Sequence, residues 1–223
     1  MEEACVVNER AATVAGFLDS LPISMWGVAE LTPELHPAGR EFPRAISLIK
    51  ACPIRLESYD EPTLHDAWEE TYHEMNQVLE WVRHFLEEQR IRHSVPRGQD
   101  AGRLVGNFSH KFAATRAGLG WIGKNTLLVT RKYGPRVRPA TVLVDLDLPR
   151  GEPITESLCG DCRECVDACP HGCIKGVTWY PGIDRASMFD AFLCSFKRKE
   201  SIPLIGRMSS CGMCMVACPK GRG

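Results

Sequence analysis

No part of the 223-residue chain approaches the ~20 consecutive apolar residues that span a bilayer, so no membrane partner is expected. A leader pattern is missing too. The N-terminus reads Met1-Glu2-Glu3-Ala4-Cys5, acidic and without an apolar run behind it, and the expected location is the cytoplasm. Charge of one sign is not in excess: the formal net charge is −1, which gives no overall pull toward nucleic acid or a membrane surface. Locally, however, acid is absent from residues 101 to 144. That stretch holds Arg103, Lys111, Arg116, Lys124, Arg131, Lys132, Arg136 and Arg138, while residues 57–88 carry ten acids. This segregation points to an anion-facing surface. The plainer reading is a solvated face neutralised by the acidic segment.

What the chain has in quantity is cysteine. There are eleven, nine of them from residue 159 onward. A secreted disulfide scaffold is also cysteine-rich, but it is usually shorter and follows a leader. Thiolates on metal in a reducing compartment fit better. Apolar residues make up 44%, enough for a packed core in one large domain plus a small one. The run Leu148-Pro149-Arg150-Gly151-Glu152-Pro153 interrupts both periodicities and divides the chain into residues 1–152 and 153–223.

In the first part the pattern predicts helices over 8–20, 62–91 and 109–117. Strands are predicted over 23–31, 44–51, 126–130 and 141–146. In the central helix Leu64, Trp68, Met75, Val78, Leu79, Val82, Phe85 and Leu86 form one apolar stripe, and its Trp and Met residues are expected in the core. Tyr133-Gly134-Pro135 is expected to close a hairpin between the last two strands. Long helices with antiparallel strands give an α+β class.

The second part opens with Cys159-Gly160-Asp161-Cys162-Arg163-Glu164-Cys165-Val166-Asp167-Ala168-Cys169-Pro170, the C-x2-C-x2-C-x3-C-P run of bacterial two-cluster ferredoxins. The short gaps let three thiolates cap one iron–sulfur cube from a single loop. The fourth cysteine, expected to open a helix that points away, reaches a second cube. A zinc site usually pairs two C-x2-C units some distance apart. Cys211, Cys214 and Cys218 repeat the pattern with Pro219, but Met208 stands where a further cysteine is expected. The remote ligand is then Cys194 or Cys173. Cys194, on a helix predicted over 185–196, is preferred because it can fold back, whereas Cys173 follows Cys169 closely. Two 4Fe–4S clusters result, one on Cys159, Cys162, Cys165 and Cys218, the other on Cys169, Cys194, Cys211 and Cys214. Cys5, Cys52 and Cys173 are left as buried thiols.

At the centre of the acid-free stretch lies Arg116-Ala117-Gly118-Leu119-Gly120-Trp121-Ile122-Gly123-Lys124-Asn125-Thr126. Its three glycines permit close backbone approach to a ligand, and Lys124 and Asn125 offer charge and hydrogen bonds. The spacing fits neither a Walker loop nor a dinucleotide fingerprint. Gly118, Gly120, Trp121, Gly123, Lys124, Asn125 and Thr126 are therefore the candidate cofactor-binding residues.

This segment, followed by residues 127–148 and the two cysteine motifs, resembles the epoxyqueuosine reductase family. The resemblance is specific over about residues 100–220 and weaker before that. It implies a nitroreductase-like α+β domain that cradles cobalamin, packed on a small ferredoxin-like two-cluster domain. It also implies relatedness to reductive dehalogenases, electron flow from the clusters to cobalt, and a queuosine precursor in tRNA as substrate. The chain departs from the family in three ways. The family places a catalytic acid about a dozen residues before Arg116, where this chain has Arg103-Leu104-Val105-Gly106. The sequence stops five residues after Cys218, without the helical repeats that help longer members grip tRNA. It is also short at its N-terminus. The catalytic acid is thus unassigned, with Tyr133 and His110 as substitutes, and tRNA is disfavoured as a partner. Two classes remain: a reductase with its own corrinoid and substrate pocket, and an electron-transfer module serving a partner enzyme. Both need an external donor of the ferredoxin or flavodoxin type.

Overall fold

The computed structural model describes residues 2–53, 60–96, 104, 106–201 and 211–221. A four-stranded antiparallel sheet organises the first part, in the order β1 (Met25–Glu30), β2 (Arg44–Ala51), β6 (Val137–Val144), β3 (His93–Ser94). Side-chain alternation assigns its faces. Ile46 and Leu48 of β2, with Ala140, Val142 and Val144 of β6, join a core with Val14 and Leu18 of α1 (Glu2–Ser20) and Met75, Val78, Val82 and Leu86 of α2 (Glu61–Glu88). Ala45, Ile49 and Leu143 face the other way, onto Ala113, Ala114 and Ala117 in and just after α3 (His110–Arg116). Three alanines let α3 lie close to the sheet.

Helix ends follow the local chemistry. Asp60 caps α2, its carboxylate accepting from the Thr63 N–H at 3.2 Å, with Pro62 in the first turn, where no intrahelical donor is needed. Ser109 caps α3 through the Phe112 N–H at 3.2 Å. The stripe of α2 is buried at Leu64, Met75, Val78, Val82 and Leu86 as expected. Trp68 and Trp81 are corrections: Trp68 lines a cavity beside the sheet, and Trp81 is 43% exposed.

The expected hairpin between the last two strands does not form. The strand over 126–130 is reduced to β5 (Leu128–Val129), which pairs with β4 (Trp121–Ile122), while β6 joins the main sheet. Tyr133 and Gly134 close only a tight turn, Thr130 and Gly134 exchanging backbone hydrogen bonds at 2.9 and 3.0 Å. Gly134 sits at φ +58 and meets the backbone of Lys220 and Gly221, so this turn serves a contact with the end of the described chain.

The segment after Leu148 is tied to the first part: the Gly151 N–H donates to Val28 O at 2.8 Å and the Ile154 N–H to Thr115 O at 2.9 Å. Beyond it come α4 (Glu164–Asp167), α5 (Arg185–Met188), α6 (Ala191–Ser201) and α7 (Met213–Val216), with α4 packed on α7. The single helix expected over 185–196 breaks at Phe189, whose extended backbone (φ −156) separates α5 from α6. Cys169 opens no helix; it lies in a turn after α4. No described helix is long and apolar enough to cross a membrane.

Candidate iron–sulfur and cofactor site

Gly123 to Leu127 form the tip of the β4–β5 hairpin. The Gly123 N–H donates to Leu127 O at 2.9 Å and the Thr126 N–H to Gly123 O at 2.8 Å. Thr126 takes a left-handed backbone, φ +58, that non-glycine residues seldom adopt. The tip reaches the cysteine loops. Lys124 Nζ donates to Gly160 O at 2.7 Å and to Cys162 O at 3.0 Å. Asn125 Nδ2 donates to Cys214 O at 3.1 Å, and its Oδ1 accepts from the Leu127 N–H at 3.2 Å. Two adjacent residues thus hold the two cysteine motifs.

The glycine-rich segment, expected to line a cofactor site, also bonds to the cysteine loops and to itself. Lys124 and Asn125 spend their hydrogen bonds on backbone carbonyls of the cysteine loops. Gly118, at φ +77, is needed because a Cβ would lie 2.7 Å from Glu152 O; a Cβ on Gly120 would collide with Val129 O; on Gly123 it would lie 2.7 Å from Asn125 Oδ1. These glycines let the chain approach itself. Trp121 is 2% exposed and belongs to the interior. Of the seven candidates, Thr126 alone lines both large cavities described below.

The cysteines gather in two groups. Cys159, Cys162, Cys165 and Cys218 line one small cavity with Gly123, Lys124 and Asn125. Cys169, Cys173, Cys194, Cys211 and Cys214 line part of a larger one. Burial first, then Cys159, Cys218 and Cys162, pushes the Cys165 thiol up to about 11. Burial, then Cys211, Cys165, Cys194 and Cys169, raises Cys214 further still. Assembling thiolates in such sites needs compensating positive charge, which bound iron supplies. Among the described residues no three His, Cys, Asp or Glu side chains converge on a single-ion site. A multi-iron cube spreads its thiolates more widely than one ion does. Cys173 is almost fully buried, and its N–H points at Cys169 Sγ, 3.4 Å away. Cys52 is also buried, and the side chain of Cys5 lies outside the described residues.

Two cavities, of about 620 and 560 Å3, lie beside α3 and share Trp68, Leu104, Lys111, Thr126, Pro139 and Arg185. The first is also lined by His110, Arg116, Arg138 and Trp179, and among the described residues no carboxylate lines it. Lys111, one of the eight charges of the acid-free stretch, and Arg185 are the half-buried cations common to both. Lys111 Nζ donates to Thr126 O at 2.6 Å; burial, with Arg185 adding, lowers it to about 8. Arg138 lies between the rings of Trp68 and Tyr72, 4.9 and 4.8 Å from their centroids. Arg185 Nη1 donates to Leu104 O at 2.6 Å. The expected anion-facing surface is therefore divided between cavity walls, loop contacts and solvent. Of its eight cations, Lys111, Arg116 and Arg138 line cavities, Lys124 holds a loop, Arg136 donates to Gly221 O, Arg131 and Lys132 are exposed, and Arg103 lies outside the described residues.

Residues 158–221 match the 4Fe-4S double cluster binding domain family. Over 123 residues the chain is 35% identical to an epoxyqueuosine reductase of Listeria monocytogenes, covering 53% of this chain and 31% of the relative. It is 30% identical over 162 residues to that of Bacillus subtilis, covering 70% and 40%. Among solved structures, an epoxyqueuosine reductase with a tRNA-Tyr epoxyqueuosine-modified stem loop superposes with a TM-score of 0.65 at 21% identity, covering 97% of this chain and 66% of that one. A catabolic reductive dehalogenase, NpRdhA, gives 0.62 at 18% identity, covering 91% and 30%. The chain is epoxyqueuosine reductase-like. It spans 31–46% of the length of curated relatives such as those of Listeria and Synechococcus.

In this epoxyqueuosine reductase-like chain, the neighbourhood expected to carry an acid presents Leu104, on the wall of both cavities. Of the two substitutes, His110 lines the first cavity. Its Nδ1 lies 3.0 Å from Thr141 Oγ1, and burial holds its pKa below the usual imidazole value, so the ring is neutral at pH 7. Tyr133 packs against the α3-side core and lines neither large cavity.

Proposed function

We propose that the chain is an iron–sulfur reductase whose clusters deliver electrons into the cavity beside α3. One observation carries this reading. The cavity lined by Cys169, Cys173, Cys194, Cys211 and Cys214 shares a wall with the first cavity, so a cluster there borders the ligand space directly. In this reading residues 153–223 are the cluster domain, with the two ligand sets assigned from the sequence, and residues 1–152 are the nitroreductase-like cofactor domain. Electrons come from an external low-potential donor of the ferredoxin or flavodoxin type, and the free thiols suit a cytoplasmic protein.

A corrinoid fits the lining. Its rim of amides presents carbonyl acceptors and its nucleotide tail a phosphate. The wall offers donors and cations: Lys111, Arg116, Arg138, Arg185 and Thr126 would hold it. When bound, it supplies a low-potential metal centre for two-electron removal of a substituent from carbon. Around it the chain's own residues exclude water with Trp68, Phe108 and Trp179 and present cations to any leaving anion.

A second reading, an electron-transfer protein serving a partner enzyme, is favoured by Leu104. An apolar residue stands where a proton donor is expected, and reduction of a carbon–oxygen bond needs such a donor within hydrogen-bond reach. Anaerobic reconstitution followed by calorimetry with hydroxocobalamin separates the two. The reductase reading expects about eight iron and eight sulfide per chain with saturable cobalamin binding. Full iron without cobalamin binding would establish the electron-transfer reading instead, and four iron or zinc would overturn both.

A further inference from the structure

Lys124 is a buried cation, 5% exposed, and no carboxylate pairs with it among the described residues. Its ammonium bonds to two carbonyls of the loop that carries Cys159 and Cys162, and it lines the cavity of those cysteines with Cys165 and Cys218. The next residue, Asn125, makes the matching bond to the other group, at Cys214 O, with an uncharged amide. One hairpin tip therefore touches both cysteine groups, with a full charge on one side and a dipole on the other. Other cations stand near both groups: Arg136 acts on Cys218 and Lys220 lines the first cavity, while Arg198 acts on Cys194 and Lys111 and Arg185 line the second. Lys111 and Arg185 bond to Thr126 O and Leu104 O rather than to a cysteine loop, whereas Lys124 bonds to the loop itself.

We propose that Lys124 is a positioning residue that holds the cluster on Cys159, Cys162, Cys165 and Cys218 at a higher reduction potential than its neighbour. The inference rests on the ligand assignment above. The step is a one-electron transfer. A reduced ferredoxin- or flavodoxin-type donor gives up one electron, the cluster becomes more negative by one unit, and no covalent bond forms or breaks. A fixed positive charge stabilises the more negative state, and more so in a buried site than in water. Hydrogen bonds and charge around a cluster are among the factors that set its potential. The sign follows: Lys124 raises the potential of the cluster it touches, whereas Asn125 adds no net charge beside the other. This cluster is then filled first by the donor, and its neighbour, which borders the ligand cavity, is the stronger reductant.

The test is an anaerobic redox titration of the reconstituted full chain, followed by electron paramagnetic resonance, after iron and sulfide have been counted. Wild type is expected to show two resolved one-electron steps. Lys124→Gln and Lys124→Met should move the upper step to more negative potential by at least tenfold in the one-electron equilibrium, ~59 mV, and leave the lower step in place. Lys124→Arg, which keeps the charge, should retain both. The step that moves should be the one that survives in Cys194→Ala. Full iron with no shift, or with equal shifts of both steps, overturns the inference while leaving the ligand assignment standing. Less than full iron in wild type overturns the ligand assignment itself. Should neither neutral variant retain its clusters, a single unresolved wave in wild type overturns the proposal.

Discussion

Lys111 is where burial and charge meet most directly. Its ordinary pKa of 10.5 falls to about 8 because the ammonium is enclosed and Arg185 lies near. Between those values the unfolded chain binds more protons than the folded one, so stability rises with pH across that window. Below about 8 both states hold the proton and the cost of burying the charge is fully present, on the order of 3 kcal/mol. Lys111→Met removes that cost together with a hydrogen bond worth about 1 kcal/mol. The variant should therefore be the more stable protein near neutral pH, and its advantage should shrink above pH 8. Denaturant unfolding of the cluster-loaded proteins at two pH values checks this, and a gap independent of pH would show that Lys111 is not held as described. The choice of remote ligand belongs to the same scale. Cys194, on α6, and Cys173 both line the cavity of Cys169, Cys211 and Cys214, and Cys173 is the more deeply buried, with its N–H directed at Cys169 Sγ. Cys194→Ala is expected to lose one cluster, about half the iron, and Cys173→Ala to keep both. Iron analysis giving the reverse would transfer the assignment to Cys173.

Among the elements, the β4–β5 hairpin has the widest reach for its size. It is only two residues per strand, yet its tip holds both cysteine loops. Its geometry depends on backbone contact at Gly120, whose α-hydrogen faces Val129 O. The expected effect of Gly120→Ala is a loss of about 2 kcal/mol of stability, typical of forcing volume into a filled interior. Because the tip is displaced with the strands, the variant should also lose iron faster to a chelator than wild type. Thermal unfolding and chelator kinetics read both effects, and wild-type behaviour in both would show the strands can part at little cost. The sequence pattern did not reveal this pairing. A strand of two residues has no alternation to read, and the run over 126–130 looks equally suited to β5 or to a longer partner of β6. The long elements were legible for the opposite reason. The stripe from Leu64 to Leu86 repeats over about six turns, and β2 was expected at the Arg44–Ala51 bounds it adopts.

For the whole molecule the distribution of charge bears on RNA binding. Within the acid-free stretch Arg131 and Lys132 are exposed, whereas Lys111, Arg116 and Arg138 line cavities. Phosphate attraction alone is weak and falls steeply with salt. Binding to a tRNA is therefore expected to fade between low and physiological salt and not to discriminate by anticodon, as read by filter binding against unrelated tRNAs. With Leu104 on the cavity wall, epoxyqueuosine reduction in the presence of cobalamin and a chemical reductant is expected to be slight. Robust turnover would mean that another group, with Lys111 the first to test, supplies the proton.

Taken by itself, the sequence determined the cluster chemistry. Ligand spacing in a C-x2-C-x2-C-x3-C-P loop is a local property, set by backbone reach over a dozen residues, and it survives without knowledge of the rest of the chain. The long amphipathic stripe and the bounds of β2 were readable for the same reason. Only the tertiary structure decided what the glycine-rich segment does. Whether a glycine admits a ligand or another stretch of backbone depends on residues such as Val129 and Glu152, which lie elsewhere in the sequence. Whether a lysine meets solvent, a cofactor or a cysteine loop depends on which loops fold against it. Lys124 and Lys111 look alike in the acid-free stretch. Packing sends one to the carbonyls of Gly160 and Cys162 and the other to the wall between two cavities.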